Sequence, residues 1–168
     1  FNEAQSRAFR AVDAAVAAFG VPQQTITTLP ELMLNSYALQ PAFDASMRKI
    51  KEAVSFSGAA VRWVCARPKS LHRTIQKACL DPTTRQRAAL EACEASALDL
   101  SMILDPVRGT FICQTMDDLL AVMHELIRQF GPNGLQRDTS ARLVYARNRF
   151  AEPNAGWMDL SLSVEFRV

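Results

Sequence analysis

From Asp159 to Val168 polar and apolar residues alternate without a miss, in the run DLSLSVEFRV. Successive side chains of an extended strand point to opposite faces, so a sustained period of two predicts a half-buried β-strand. A strand leaves its backbone donors and acceptors unpaired unless a neighbour lies beside it, so the chain must build a sheet. The run reads as an inner member of a larger sheet. Its next neighbour is expected beyond Val168, lost, or supplied by another molecule, because a bare strand edge with an apolar face invites association.

The rest of the chain supplies helices and short strands for that sheet. Residues 1–19 can align Phe1, Ala8, Val12, Ala15, Val16 and Phe19 on one stripe, and Gly20 with Pro22 ends the run. A polar loop containing Pro30 is expected next, then a helix from Pro41 to about Phe56, stopped by Gly58. Ala59–Cys65 is rich in Val and Trp and reads as a strand. After Pro68, Ser70 can cap a helix whose apolar side carries Leu71, Ile75 and Cys79. Residues 84–98 are rich in Ala and Glu and read as helical.

Asp105 to Cys113 (DPVRGTFIC) reads as a turn running into a strand. Thr115 then caps a helix, with Asp118 placed to bond back to the cap. Met116, Leu119, Leu120, Met123, Leu126, Ile127 and Phe130 form its apolar face, and Gly131-Pro132 closes it. Residues 142–147 (RLVYAR) read as a strand, and the loop AEPNAG leads to the last one. The fold class implied is α+β, a small mixed β-sheet flanked by helices. Residues 1–58 are expected to form N-terminal flanking helices and 59–168 the core, within one globular unit.

Composition excludes several classes. A length of 168 residues, 49% of them hydrophobic and 21% charged, suits a globular chain with its own core. A net charge of +2 argues for neither nucleic acid nor membrane by itself. No apolar run approaches the roughly 20 residues of a bilayer span. The four cysteines, Cys65, Cys79, Cys93 and Cys113, are spaced too widely for a metal knuckle and read as small buried hydrophobes in a reducing compartment. There is no P-loop, G-x-G-x-x-G, nucleophile elbow or helix with paired metal-binding histidines.

Three segments can carry chemistry. Residues 53–80 hold Arg62, Arg67, Lys69, Arg73 and Lys77 and no acid. Lys69 and Ser70 stand at a helix start, where free amides and the helix dipole attract anions. Arg73 and Lys77, four residues apart, share a helix face and repel unless an anion or acid lies between them; a phosphate would fit, and a solvated face is the alternative. Asp105, before a strand, could offer carboxylate oxygen to a divalent metal, or cap the turn and pair with Arg108. Arg147 and Arg149, with Trp157 beyond the loop, could grip a nucleotide through charge and stacking, unless Trp157 fills the core.

In order, these segments read R-x-K-S-x-x-x-x-x-x-K, D-x-x-R before a strand, and RNRF-x-x-P-x-x-G-W-x-D before an alternating strand. This succession resembles the synthetase domain of RelA/SpoT-like proteins, which transfer pyrophosphate from ATP to the 3′ hydroxyl of a guanosine nucleotide. The resemblance covers about residues 59–168 and is nearest to divergent eukaryotic relatives. It implies a nucleotidyltransferase-type sheet. It implies that Arg67, Lys69 and Lys77 match the ATP-gripping basic box, that Asp105 matches the magnesium-binding acid, and that Arg108 matches the arginine following it. Trp157 stands where the family has a guanine-stacking tyrosine.

The chain also departs from the family pattern. Asn154 stands where the family has lysine, and Ser161 replaces a histidine. The family's second metal-binding glutamate lies one strand later, in an E-x-Q segment that the sequence does not reach. Glu165, on the preceding strand, is not its equivalent.

These departures set the functional expectation. Phosphoryl transfer depends on metal clamps and positioning, so a domain short of a metal carboxylate loses most of the rate. The leading expectation is a non-catalytic RelA/SpoT-like domain acting as an interaction or assembly subunit of a larger complex. The alternatives are an alarmone-type pyrophosphokinase acting on ATP and GDP or GTP, with Asp105 as its catalytic acid, and a sensor that binds a guanosine or adenosine nucleotide, or RNA, without reacting. Magnesium is expected only with bound nucleotide. An intracellular location is expected; the Phe1 start fits either removal of a leader, as in a chloroplast or mitochondrial protein, or a piece of a longer product.

Overall fold

The structure is a computed structural model that describes residues 25–80, 100, 103–131, 141–150 and 159–166, with Glu3, Ser6, Arg7, Arg10 and Ala14. The helices expected over 1–19 and 84–98, and the loop AEPNAG, lie outside the described residues or touch them at scattered positions only. Three helices and four strands are described: α1 (Leu29–Phe56), β1 (Val61–Cys65), α2 (Leu71–Leu80), β2 (Gly109–Cys113), α3 (Met116–Phe130), β3 (Ala141–Asn148) and β4 (Leu160–Phe166). The protein is therefore α+β. Among the described residues, no helix is long and apolar enough to cross a membrane.

The described strands form two two-stranded sheets, β1 with β2 and β3 with β4, where the sequence suggests one mixed sheet. The period of a strand shows which face is buried, but not which strand lies beside it. Two compact units are present, each assembled from separate stretches: Phe1–Val21, Ala45–Val64 and Thr110–Val168 in the first, Pro22–Asp44 and Cys65–Gly109 in the second.

Helix α1 starts twelve residues before the expected Pro41 and runs through that proline. The first turn closes at Thr28, whose carbonyl accepts from the Leu32 amide at 3.0 Å. Pro30 falls in this turn, where a missing N–H costs nothing. Pro41 removes one ladder bond inside the helix, but burial on both sides of it holds the helix together: Leu32 and Ser36 before it, Met47, Ile50 and Val54 after it. The helix ends as expected. Gly58 adopts φ +95, the Gly58 amide bonds Ser55 O at 3.0 Å and the Ala59 amide bonds Val54 O at 3.1 Å. This is a Schellman turn, and it requires a residue that tolerates the left-handed region.

In the first unit, α3 follows its sequence closely. Thr115 Oγ1 accepts from the Asp118 amide at 3.1 Å, and Asp118 Oδ2 accepts from the Thr115 amide at 2.9 Å, completing the capping box. Met123 is buried at the centre of a cluster with Met116, Leu119, Leu120, Ile127, Phe150, Leu160 and Leu162. Phe130 lies 6.2 Å from Phe166, ring to ring. Strands β3 and β4 are antiparallel, pairing Ala141 with Phe166 and Arg142 with Glu165.

The β3–β4 register shifts between Leu143 and Tyr145. Leu143 and Val144 are consecutive and both buried, which strict alternation forbids and a bulge permits. Burial along β4 does not alternate as its sequence does; every residue from Leu160 to Phe166 is half-buried. Leu160 and Leu162 cover Met123, while Arg142 bonds Glu165 at 2.7 Å across the other face and screens it from water.

The pair β1–β2 has one wet face. Arg62, Val64, Thr110 and Ile112 are exposed, whereas Trp63 and Phe111 meet on the opposite face at 4.6 Å. In the second unit Leu32, Ala78, Leu100 and Ile103 form the core, with Ile26 and Leu29 against it.

Candidate functional site

The second unit gathers the basic box and the acid through backbone pairing. Beyond the end of β1 the Ala66 amide bonds Arg108 O at 3.1 Å, and the Lys69 amide bonds Pro106 O at 2.8 Å. Going forward along one segment means going back along the other, as antiparallel neighbours do. Pro68, between the two bonds, has no N–H to place. Gln40 Nε2 donates to Ala66 O at 2.8 Å and ties α1 to the same segment. Lys69 thus comes to lie beside Asp105, although they are 36 positions apart in sequence.

Helix α2 then begins behind its cap. Ser70 O accepts from the Thr74 amide at 2.9 Å and Ser70 Oγ from the Arg73 amide at 3.4 Å. Its buried side carries Thr74 and Ala78, not Leu71, which is exposed. Thr74 tolerates burial because its hydroxyl donates to Ser70 O at 3.0 Å. The inward row at positions 74 and 78 leaves Lys77 beside it, half-buried and turned to the same acid as Lys69.

Both ammonium groups meet one oxygen. Lys69 Nζ donates to Asp105 Oδ1 at 2.7 Å, and Lys77 Nζ donates to the same Oδ1 at 2.6 Å. The Lys69 side chain is 7% exposed, Lys77 37% and Asp105 43%. Burial pushes the Lys69 ammonium below the usual lysine range; its bond and attraction to Asp105 restore part of this, and the charges of Lys77 and Arg108 oppose it further. Burial alone would raise the Asp105 carboxyl, but the hydrogen bonds and charges of Lys69 and Lys77 outweigh it and hold the group below the usual carboxylate range. The cluster is thus a carboxylate between two ammonium ions, one positive charge in excess.

Three arginines of the same unit, Arg67, Arg73 and Arg108, are exposed. Arg73 does not share an anion with Lys77; its guanidinium bonds Gln76 Oε1 at 2.6 Å. The acid expected between Arg73 and Lys77 lies between Lys69 and Lys77 instead. Asp105 is engaged by the two lysines, not by Arg108, whose backbone carbonyl is the part held in place.

The third predicted segment lies in the first unit. Arg147 stands opposite Ser161 in the β3–β4 ladder. Arg149 is paired with Asp159, Nη1 to Oδ1 at 3.2 Å, and its amide bonds Asp159 O at 2.9 Å. Trp157 and Asn154 lie outside the described residues. Cys65, Cys79 and Cys113 are free and partly exposed, where full burial was expected; Cys93 is outside the described residues. Burial, with the nearby Asp118 charge, pushes the Cys113 thiol up, away from nucleophilic character. His72 and His124 are both exposed.

A dication at Asp105 fits this arrangement poorly. It would have to share the carboxylate with two ammonium ions that already hold Oδ1, and their positive charges would repel it at close range. Among the described residues, no three His, Cys, Asp or Glu side chains gather as a metal-ligand set.

Sequence reasoning missed two roles. Asp118 is buried, and its Oδ1 also accepts from the Ala60 amide at 2.9 Å, linking the start of α3 to the residue before β1. Gln40 carried no signal at all, being one uncharged polar residue among several. No protein-family model, curated protein or solved structure matches the chain.

Proposed function

We propose that the chain is a RelA/SpoT-like synthetase-type domain that works by binding rather than by catalysis, as an interaction or assembly subunit of a larger complex. The observation that carries this reading is the engagement of Asp105 by Lys69 and Lys77. In the family it resembles, that acid holds magnesium; here one of its oxygens is bonded by two cations, which neutralise the carboxylate without a metal. Apolar side chains left exposed on α1 (Leu34, Tyr37) and on the outer face of β1–β2 (Val64, Ile112) support a role in assembly.

The experiment is direct. The protein is mixed with magnesium, labelled ATP and GDP, and the products are separated. The reading expects no label on the guanosine nucleotide above a protein-free control. Transfer at catalytic rates contradicts it and favours the pyrophosphokinase.

A second reading rests on its own observation. Arg67, Lys69, Arg73, Lys77 and Arg108 all fall in the second unit, where Asp105 contacts two of them. An excess of cations with exposed guanidinium groups nearby suits a polyphosphate chain, so the domain could sense a nucleotide without reacting with it. Here Lys77→Ala weakens nucleotide binding measured by calorimetry. If the unaltered protein takes up no nucleotide, this second reading fails and the assembly role stands alone.

A further inference from the structure

We propose that Asp105 is a built-in counter-anion that competes with the ligand of the Lys69–Lys77 pair and selects for ligands carrying at least two adjacent phosphoryl groups. The inference rests on the nucleotide-binding reading and deepens it. A single carboxylate oxygen accepts both lysine bonds, 2.7 Å from Lys69 and 2.6 Å from Lys77. The two ammonium ions are therefore no farther apart than two hydrogen-bond lengths, the spacing at which one anion bridges both. In the structure that anion is the protein's own.

Because Asp105 is attached to the chain, it acts at an effective concentration that a free ion in solution does not match. A small ion such as phosphate can take the place of Asp105 between the lysines but is too short to reach further cations, and it leaves the carboxylate without its partners. A pyrophosphoryl group brings several charged oxygens. It can take one lysine from Asp105 while its remaining charge reaches Arg108, whose field already acts on Lys69. Asp105 stays partly solvated, at 43% exposure, so releasing it to water leaves no buried orphan charge. Lys69, 7% exposed, stays charged at least cost when an anion lies beside it. The exchange is therefore one anion for another, and Asp105 sets the threshold a ligand must exceed.

A metal ligand and a counter-anion respond oppositely to loss of charge. Asp105→Asn removes the competitor, keeps the shape and leaves an amide oxygen for one ammonium. In magnesium-free buffer, calorimetry with inorganic pyrophosphate is expected to show binding to the unaltered protein and about tenfold tighter binding to Asp105→Asn, with weaker discrimination against inorganic phosphate. Equal affinity in the two proteins overturns the proposal and leaves the nucleotide-binding reading intact. Weaker binding by the variant overturns it in favour of a metal-ligand role. Absence of pyrophosphate binding in both overturns the proposal together with the reading.

An ATP arm separates the two sources of the same chemistry. A comparable gain for ATP assigns the site to a nucleotide tail, and a gain for pyrophosphate alone assigns it to the free ion. Should the variant not fold, the unaltered protein decides by carboxyl-carbon NMR. The Asp105 resonance is expected to move on saturation with pyrophosphate and to hold still with phosphate. A resonance that stays fixed while pyrophosphate binds overturns the proposal.

Discussion

The two units each hold an acid in a demanding place, and they satisfy it in opposite ways. Asp118, in the first, is bonded by neutral donors: the Thr115 hydroxyl and the Thr115 and Ala60 amides. Asp105, in the second, is bonded by two ammonium ions. Both carboxyls are held below the usual range, Asp118 by its hydrogen bonds, above all to Thr115, and Asp105 by lysines that outweigh its burial. Neutral donors fix geometry and leave the charge balance to the acid alone. Charged donors bring a surplus of positive charge and with it an appetite for a second anion. One aspartate builds the fold, and the other, in the proposed reading, equips a site.

This contrast can be broken or sharpened by substitution, beginning where the effect is largest. Leu143 is 0% exposed. Leu143→Ala is expected to cost about 3 kcal/mol in urea denaturation through the cavity it leaves. Because Leu143 and the lysine cluster belong to different units, the folded fraction should keep its pyrophosphate affinity. A parallel loss of affinity would show that the lysine cluster depends on the packing around Leu143.

Asp105→Ala comes next. It leaves Lys69 buried without its anion, and about 2 kcal/mol is expected after allowing for the exposure of Asp105. Adding Lys69→Met should recover most of that loss in the same denaturation experiment, because an apolar side chain of similar volume then replaces the stranded cation. If the double variant is no more stable than the single one, the lysine is not the source of the penalty.

Thr115→Ala removes the cap hydroxyl of α3 and is expected to cost about 1 kcal/mol, read as a lowered melting temperature with no change in ligand binding. The mildest test uses pH. In the unfolded chain both carboxyls titrate at about 3.9, above their folded values. The unfolded state then binds more protons in acid, so their stabilisation is complete above that value and is lost as pH falls through the folded ones. Thermal denaturation below about pH 5 should show stability falling with pH, and Asp118→Asn should flatten that slope. An unchanged slope would remove Asp118 from the account.

What the sequence disclosed follows the range of each interaction. Thr115 and Asp118 are three residues apart, so their capping box could be read before any coordinates. Gly58 needed only its own backbone freedom, and the alternation of β4 named a strand. The partners of these elements were less accessible. Asp118 reaches the Ala60 amide 58 positions away, and Lys69 reaches Asp105 across 36. Charge pattern could nominate Lys69, Lys77 and Asp105 separately, but their meeting depends on the paired segments after β1 and before β2. Pro41 misled because a local helix-breaking rule was set against burial on both sides of it. Arg73 misled because helical spacing gives a shared face, while a nearby Gln76 offered the shorter reach.

Both proposed readings turn on Asp105 being held by lysines rather than by a metal, and the nucleotide-binding one makes the surrounding cations a metal-free polyphosphate pocket. Its most direct test is ATP binding to the unaltered protein, measured by calorimetry in chelator and again in millimolar magnesium. The account predicts binding in chelator that magnesium does not strengthen and that added salt weakens. Binding that appears only when magnesium is present would contradict it.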